Sequence, residues 1–470
     1  MTARTRTLWT FAITSIALFM VSLDNLVVTT ALPVIRTDLD ASLADLEWTV
    51  NAYTLTFAVL LLTGAALGDR FGRRRVFSLG LLVFTLGSVA AALAPTVDAL
   101  NVARAVQGLG GALVMPLTLT LLSAAVPPEK RGLALGAWGG IGGLAIAFGP
   151  VVGGAVVEGI AWQWIFWLNV PIGLVLVPLA LRKLTESHGP GGRLDLPGVA
   201  LVSAGLFGIV WALVRGNAEG WGSPEIVGSL IAGALLIAAF VAWELRSRAP
   251  MLPMRFFRSA TFSLTNLASL LMFFGMFGSI FLLAQFFQTV QGYSPLGAGL
   301  RILPWTLAPM FIAPVAGALS DRIPPKLIIG TGLAMQAVAL AWIGLVSTPT
   351  VPYSSLIAPF VVAGVGMALF FAPVANVVLS AVRPAEEGQA SGANNAIREL
   401  GGVFGVAVLA AVFAHVGGYR SAEAFSDGMN TAVLVGAAVV AVGAVAAFAI
   451  PRGRPRAETA SVAEALREAA

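Results

Sequence analysis

The chain has 470 residues, of which 58% are hydrophobic and only 11% charged, against about 25% charged in a soluble globular protein. That balance excludes a soluble catalytic domain, and the net charge of +5 is no nucleic-acid footprint, because the basic residues sit in the gaps between apolar runs. The absence of cysteine excludes disulfides and thiolate metal sites, and the two histidines, His188 and His415, are too few and too far apart for a metal cluster.

Two arginines, Arg4 and Arg6, precede an apolar run from Leu8 to Ala31, longer than the roughly 20 residues that cross a bilayer. No small-residue cleavage site follows, so the run is expected to be a retained first span with the N-terminus inside. Thirteen further runs centre near Phe57, Phe84, Leu113, Leu144, Leu174, Gly205, Leu235, Met276, Ala308, Ala337, Met367, Leu409 and Val440, fourteen spans in all. With the N-terminus cytoplasmic, roughly 22 Lys/Arg fall on the inner side and about four outside. The first outer loop is acidic (Asp38, Asp40, Asp45, Glu47). This asymmetry predicts an even count with both termini cytoplasmic.

The polar stretches Arg182–Asp195 and Glu244–Arg258 bracket two helices, near 196–214 and 225–243, that a plain six-plus-six plan would lack. The expected division is a six-helix bundle over 1–181, a linker with the two extra helices over 182–258, a second six-helix bundle over 259–450, and a cytoplasmic tail over 451–470.

Four arginines crowd the turn Leu67-Gly68-Asp69-Arg70-Phe71-Gly72-Arg73-Arg74-Arg75, which must lie at a membrane face. It has an echo at Gly317-Ala318-Leu319-Ser320-Asp321-Arg322, followed by Pro324, Pro325 and Lys326. Two copies of one charged turn suggest two halves of one repeated plan. The alternatives for the turn are a topogenic charge cluster and a gate in which Asp69 holds helix N-termini and the arginines pair across the halves.

Three runs carry chemistry in their interiors. The first holds Asp24, about 13 Å from Pro33 along a helix, and the fourth holds Arg104 at comparable depth, with Gln107 one turn on. Intramembrane charges are functional candidates by default. Burial favours the neutral carboxyl and a nearby arginine the charged one, a balance suited to loading and releasing protons; a static Asp24–Arg104 ion pair is the alternative. The fifth run ends in Gly149, Pro150, Gly153 and Gly154, whose small size permits close helix approach around a kink. Glu399, near the inner end of the thirteenth run, is either a second protonation site or a paired structural charge. Polar or aromatic residues within apolar runs are candidates for a drug-sized cavity, the alternative being interfacial anchors. They are Asn25, Asn51, Tyr53, Gln107, Trp138, Asn169, Gln285, Phe286, Trp305 and Asn376.

The charged turn resembles the signature loop of the major facilitator superfamily, matching at Leu67, Asp69, Arg70, Gly72, Arg73 and Arg74, with Ala65 in place of the leading Gly. Leu100, Arg104, Gln107, Gly108 and Gly110 are similar to that superfamily's fourth-helix pattern, and Gly149-Pro150-Val151-Val152-Gly153-Gly154 to its antiporter signature. Leu23-Asp24, then Val27, Val28, Ala31, Leu32 and Pro33, resemble the first-span pattern of the fourteen-span QacA/EmrB-like drug:proton antiporters, with Leu26 and Thr29 replacing that pattern's Thr and Asn. Trp162–Gly173, Gly292–Arg301 and Leu400–Ala407 extend the likeness to roughly residues 10–450.

The resemblance implies an all-α membrane protein of the bacterial plasma membrane with the major facilitator fold: two six-helix bundles, two extra central helices, and a central cavity. It implies proton-driven export of apolar or cationic drug-like molecules, with Asp24, Arg104 and Glu399 in proton coupling. Asp69, Arg70, Gly72, Arg73, Asp321 and Arg322 would then serve gating. No cofactor is expected, since nothing reads as a P-loop; the proton gradient is the energy source. The expected partners are cargo, protons and the lipid bilayer, with no nucleic acid, and the expected state is a monomer, not an enzyme. The rival readings are a dedicated exporter of a metabolite or antibiotic made by the host, and a non-transporting sensor or scaffold.

Overall fold

A computed structural model describes residues 3–127, 131–188, 194–320, 323–383 and 386–451. Among them the chain is helical with no strand. The helices are α1 (Ala3–Asp38), α2 (Leu43–Phe71), α3 (Arg73–Ala92), α4 (Val97–Ala125), α5 (Arg131–Gly159), α6 (Trp164–Trp167), α7 (Asn169–Lys183), α8 (Leu196–Glu219), α9 (Pro224–Arg246), α10 (Ala260–Gln285), α11 (Pro295–Ser320), α12 (Pro325–Val346), α13 (Ser354–Ser380), α14 (Glu387–Val416) and α15 (Ala422–Phe448). α10 runs on through a π-helical turn to Val290. In hydrocarbon every backbone N–H and C=O must be satisfied within its own segment, and long uninterrupted helices do this.

Among the described residues twelve segments are long and apolar enough to cross a bilayer, α6 and α7 counting together as one. Helices α5 and α11 stand outside that dozen, at 29 and 26 residues. The turns carry conventional helix starts: the Ser42 hydroxyl accepts from the Asp45 amide while the Asp45 carboxylate accepts from the Ser42 amide, and Thr96, Ser223, Ser259 and Ser421 cap α4, α9, α10 and α15. The tail beyond Pro451 lies outside the described residues.

Helices α1 and α5 pack together, as do α2 with α4, α3 with α4, α10 with α14, and α12 with both α13 and α15. The most extensive contacts joining the earlier helices to the later ones are α5 with α11 and α2 with α14. The first is tight at one end. Thr306 Oγ1 donates to the Ala147 carbonyl at 3.0 Å, and the Leu296 amide to Glu158 at 3.2 Å. Gln288 Nε2 reaches the Thr30 carbonyl at 2.9 Å, and the Arg36 guanidinium lies 3.5 Å from the centre of the Tyr419 ring. The Thr306 bond lies near the middle of both helices, and the others lie where α1, α5 and α10 end, α11 begins and α14 gives way to α15. The bundle is therefore sealed between α5 and α11 at the end away from the N-terminus.

Helices α8 and α9 pair with each other on the outside, and α8 leans on both α2 and α14, straddling their seam. Leu206, Val210 and Val214 form one apolar cluster with Leu55, Val59, Val403 and Ala407, and Asn217 Nδ2 donates to the Ala411 carbonyl at 2.6 Å.

Candidate functional site

The buried centre is a polar knot tied from helices far apart in sequence. Asp24 on α1 is 1% exposed and so is Arg104 on α4, which lets their charges interact with little screening. Arg104 Nη1 donates to Asp24 Oδ2 at 2.5 Å and to Gln107 Oε1 at 3.0 Å, and its Nε donates to the Thr49 carbonyl at 3.1 Å. Asp24 Oδ1 accepts from Asn169 Nδ2 on α7 at 2.7 Å and from Gln107 Nε2 at 3.3 Å. Ser88 on α3 closes the ring, accepting from Gln107 at 2.8 Å. The Tyr53 ring on α2 lies 4.3 Å from the guanidinium carbon, a cation–π contact, and its hydroxyl donates to the Val21 carbonyl at 3.3 Å. A charge so deep is tolerable only when paired and hydrogen-bonded, and both conditions hold here.

Thus the two charges expected to act together do meet. Gln107 and Asn169, expected to line a cavity, differ from that expectation: their amides are committed to Asp24, because in a low dielectric the nearest charge claims the donors. Ser88 was not singled out in the sequence; a serine in an apolar run carries no signal until its helix is docked.

Gly149, Gly153 and Gly154 form the seam of α5 with α1 and α11. A Cβ on Gly149 would lie 2.6 Å from Leu26 Cβ, and one on Gly153 would lie 2.5 Å from Thr30 Oγ1 and 2.6 Å from the Val27 carbonyl oxygen. A Cβ on Gly154 would lie 2.6 Å from Leu296 Cα, and one on Gly299 of α11 would lie 2.7 Å from the Pro150 carbonyl carbon. α1, which carries Asp24, and α11 therefore bear on one glycine-lined helix.

At the charged turn, Gly72 has φ +106°, a conformation that L side chains resist, and a Cβ there would strike the Glu186 carboxyl. Arg73 pairs with Asp69 at 2.8 Å, and the Arg70 guanidinium carbon lies 5.2 Å from the Phe71 ring centre. Arg74 and Arg75 pair with Glu186 at 3.6 and 3.7 Å, and the Arg74 amide donates to the same carboxylate at 2.9 Å. In this structure Arg74 and Arg75 are held by the segment just after α7, which the bare Gly72 allows to approach. Glu186 was missed, its only signal being an acid in a basic stretch. Asp321 and Arg322 lie outside the described residues.

On α14, Glu399 Oε2 is buried without a hydrogen-bond partner among the described residues, as is Arg398 Nε. The Arg398 guanidinium lies over Phe273 and Phe371 at 4.7 and 5.4 Å. Of the cavity candidates, Gln285 donates to the Phe281 carbonyl and accepts from the Tyr419 hydroxyl. Phe286 and Trp305 are fully buried, against Phe425 and Phe360 respectively. Asn25 Oδ1, both amide atoms of Asn51, and the indole nitrogens of Trp138 and Trp305 are buried with no partner among the described residues. Asn376 departs from expectation, lying exposed near the end of α13, where its amide can be solvated.

The family model of the Major Facilitator Superfamily matches residues 14–406 and 265–469. The tetracenomycin C resistance and export protein of Streptomyces glaucescens is 35% identical over 416 residues, covering 88% of this chain and 76% of the relative. The multidrug resistance protein Stp of Mycobacterium tuberculosis is 36% identical over 409 residues, covering 87% of this chain and 76% of the relative. In fold, the crystal structure of the peptide transporter POT in complex with sulfate aligns with a TM-score of 0.68 at 16% identity, covering 94% of this chain and 96% of that one.

Proposed function

Since this chain belongs to the major facilitator superfamily, as a multi-pass protein of the bacterial inner membrane, we propose that it is a proton-coupled antiporter that exports drug-like apolar or cationic molecules by alternating access. The observation that carries the reading is the Asp24 knot: one buried carboxylate, held by Arg104, Gln107 and Asn169, on a helix seated in the glycine seam of α5.

In this reading the chain has fourteen spans, with α5 and α11 added to the twelve. Both termini are cytoplasmic, since the basic residues gather on that side. Residues 1–181 and 259–450 are the two moving halves, and 182–258 bridge them. The sealed α5–α11 end is then the outer one, and the conformation is inward-facing. Cargo binds with Asp24 charged. After the halves rock, a proton from outside neutralises Asp24, loosens the Arg104 and Asn169 contacts, and weakens the hold on cargo. Linkage makes the effect mutual. One pH unit supplies about 1.4 kcal/mol and 100 mV about 2.3 kcal/mol per charge. One proton thus raises a neutral cargo roughly several-hundred-fold uphill. A monovalent cation exchanged for one proton feels only the pH part, and a second site such as Glu399 would serve that case.

A second reading, a dedicated exporter of one compound, is favoured by the tetracenomycin relative as the multidrug reading is by Stp. Efflux of many unrelated compounds, or of one, separates them. Purified protein in vesicles under an imposed pH gradient tests the coupling. Wild type is expected to drive substrate-dependent proton flux and Asp24→Asn to equilibrate cargo without pumping it. Uphill transport at full rate by Asp24→Asn would remove Asp24 from the mechanism, and a wild type with no substrate-dependent proton flux would leave a scaffold.

A further inference from the structure

The sequence places Glu47 with the acids of the first outer loop. In the structure α2 begins at Leu43, so Glu47 already belongs to the second turn of a helix, and its side chain is 2% exposed. Its Oε2 has no hydrogen-bond partner and the carboxylate makes no ion pair among the described residues. One turn on, Asn51 is 0% exposed, and neither atom of its amide has a partner there. Glu47, Asn51, Thr54 and Ala58 follow the i, i+4, i+7, i+11 spacing of a single helix face, and all are buried.

The neighbouring faces show where this one looks. To one side, Tyr53 meets Arg104 and the Val21 carbonyl of α1. To the other, Leu55 and Val59 pack on α8 and α14. The Glu47 face lies between these two, inside the bundle.

A buried carboxylate and a buried amide left without partners are expensive in a packed protein and common where a ligand supplies the missing groups. We propose that Glu47 and Asn51 form a recognition subsite for organic cations that carry N–H donors, with the Glu47 carboxylate as counter-charge and the Asn51 amide as the hydrogen-bonding partner beside it. The subsite is distinct from the Asp24 knot, whose donors and acceptors are already matched. The inference rests on the export reading in taking the ligand to be cargo.

Binding to protein in lipid nanodiscs, with no proton gradient, tests it. The probes are ethidium, a permanent cation with two aromatic amines, and chloramphenicol, which is neutral. Glu47→Gln is expected to weaken ethidium about tenfold or more, the loss of one charge-assisted contact, while chloramphenicol shifts less than about twofold. Glu47→Asp restores most of the ethidium affinity, and Asn51→Ala weakens ethidium about threefold. Because Glu47→Gln removes an unpaired buried charge, it should fold at least as well as wild type. Independently of any variant, ethidium should shield Glu47 of the wild type from dicyclohexylcarbodiimide, read by mass spectrometry.

Equal weakening of both probes, unchanged ethidium affinity in Glu47→Gln, absence of shielding, or a wild type that binds no ethidium each overturns the subsite. A Glu47→Gln protein that keeps its cation preference but no longer couples protons also overturns it, making Glu47 a proton carrier instead. Ethidium binding through Glu47 without proton flux in wild-type vesicles would uphold the subsite and sink the antiport reading.

Discussion

The Asp24–Arg104 pair makes a quantitative prediction through a double-mutant cycle. The two side chains are 0% and 1% exposed and 2.5 Å apart. Asp24→Asn leaves a buried guanidinium facing an amide, with only the Thr49 carbonyl, Gln107 Oε1 and the Tyr53 ring to hold it. Breaking a buried pair from one side costs about 3–5 kcal/mol, and those remaining partners place this case near the lower end, about 3 kcal/mol. Arg104→Gln strands Asp24 instead, but Asn169 and Gln107 still donate to it, so a similar cost of about 3 kcal/mol is expected. The double variant carries no buried charge at the site and should lose only about 2 kcal/mol, giving a coupling of about 4 kcal/mol. Reversible unfolding by SDS in mixed micelles measures all four corners. Single effects that add within about 0.5 kcal/mol would show that the pair is not coupled and would refute the electrostatic reasoning behind the knot.

Gly153→Val places methyl groups where Thr30 Oγ1 and the Val27 carbonyl stand 2.5 and 2.6 Å from a mere Cβ. It should lower stability by about 1–3 kcal/mol and slow vesicle transport at least about tenfold while the protein still inserts, and wild-type rates would show that α1 need not stay seated on α5. At the start of α14, the hydrogen bond from Arg383 at 2.6 Å and the charge of Arg255 hold the half-buried Glu386 carboxyl down to about 2. A lowered folded-state value means stability present above the ordinary carboxylate range near 4.5 and lost as pH falls toward 2. Glu386→Gln should therefore be less stable than wild type at pH 7 and equal to it at the acid end; a difference that does not shrink on acidification would rule out this ion pair as its source.

How far the site was readable varies residue by residue. Asp24 and Arg104 were legible because a charge inside a long apolar run has no bland explanation that leaves it unpaired. Their pairing was readable from their comparable depth, but the partners that complete it were not, since only helix docking sets which faces oppose. Asn169 was visible as a polar residue, yet its role as a donor to Asp24 follows from the azimuth of α7, which no local spacing reveals. Glu47 was misplaced by proximity to loop acids; the helix start at Ser42, with its capping box, moves it inside the bundle. Glu186 closes the charged turn only because Gly72 leaves room for it.

By itself the sequence settled the properties that lipid imposes along one dimension: helical segments of spanning length, the charged turns between them, and small residues where helices must touch. Those follow from the cost of bare backbone and charge in hydrocarbon, which acts on each segment separately. The tertiary structure alone decided what depends on mutual orientation: the ring of partners around Asp24, the seating of α8 over the α2–α14 seam, the end at which α5 and α11 close, and the lone carboxylate of Glu47 turned inward. Rotating one helix by a single residue, about 100°, would leave the hydropathy of every span unchanged and dissolve all of these contacts.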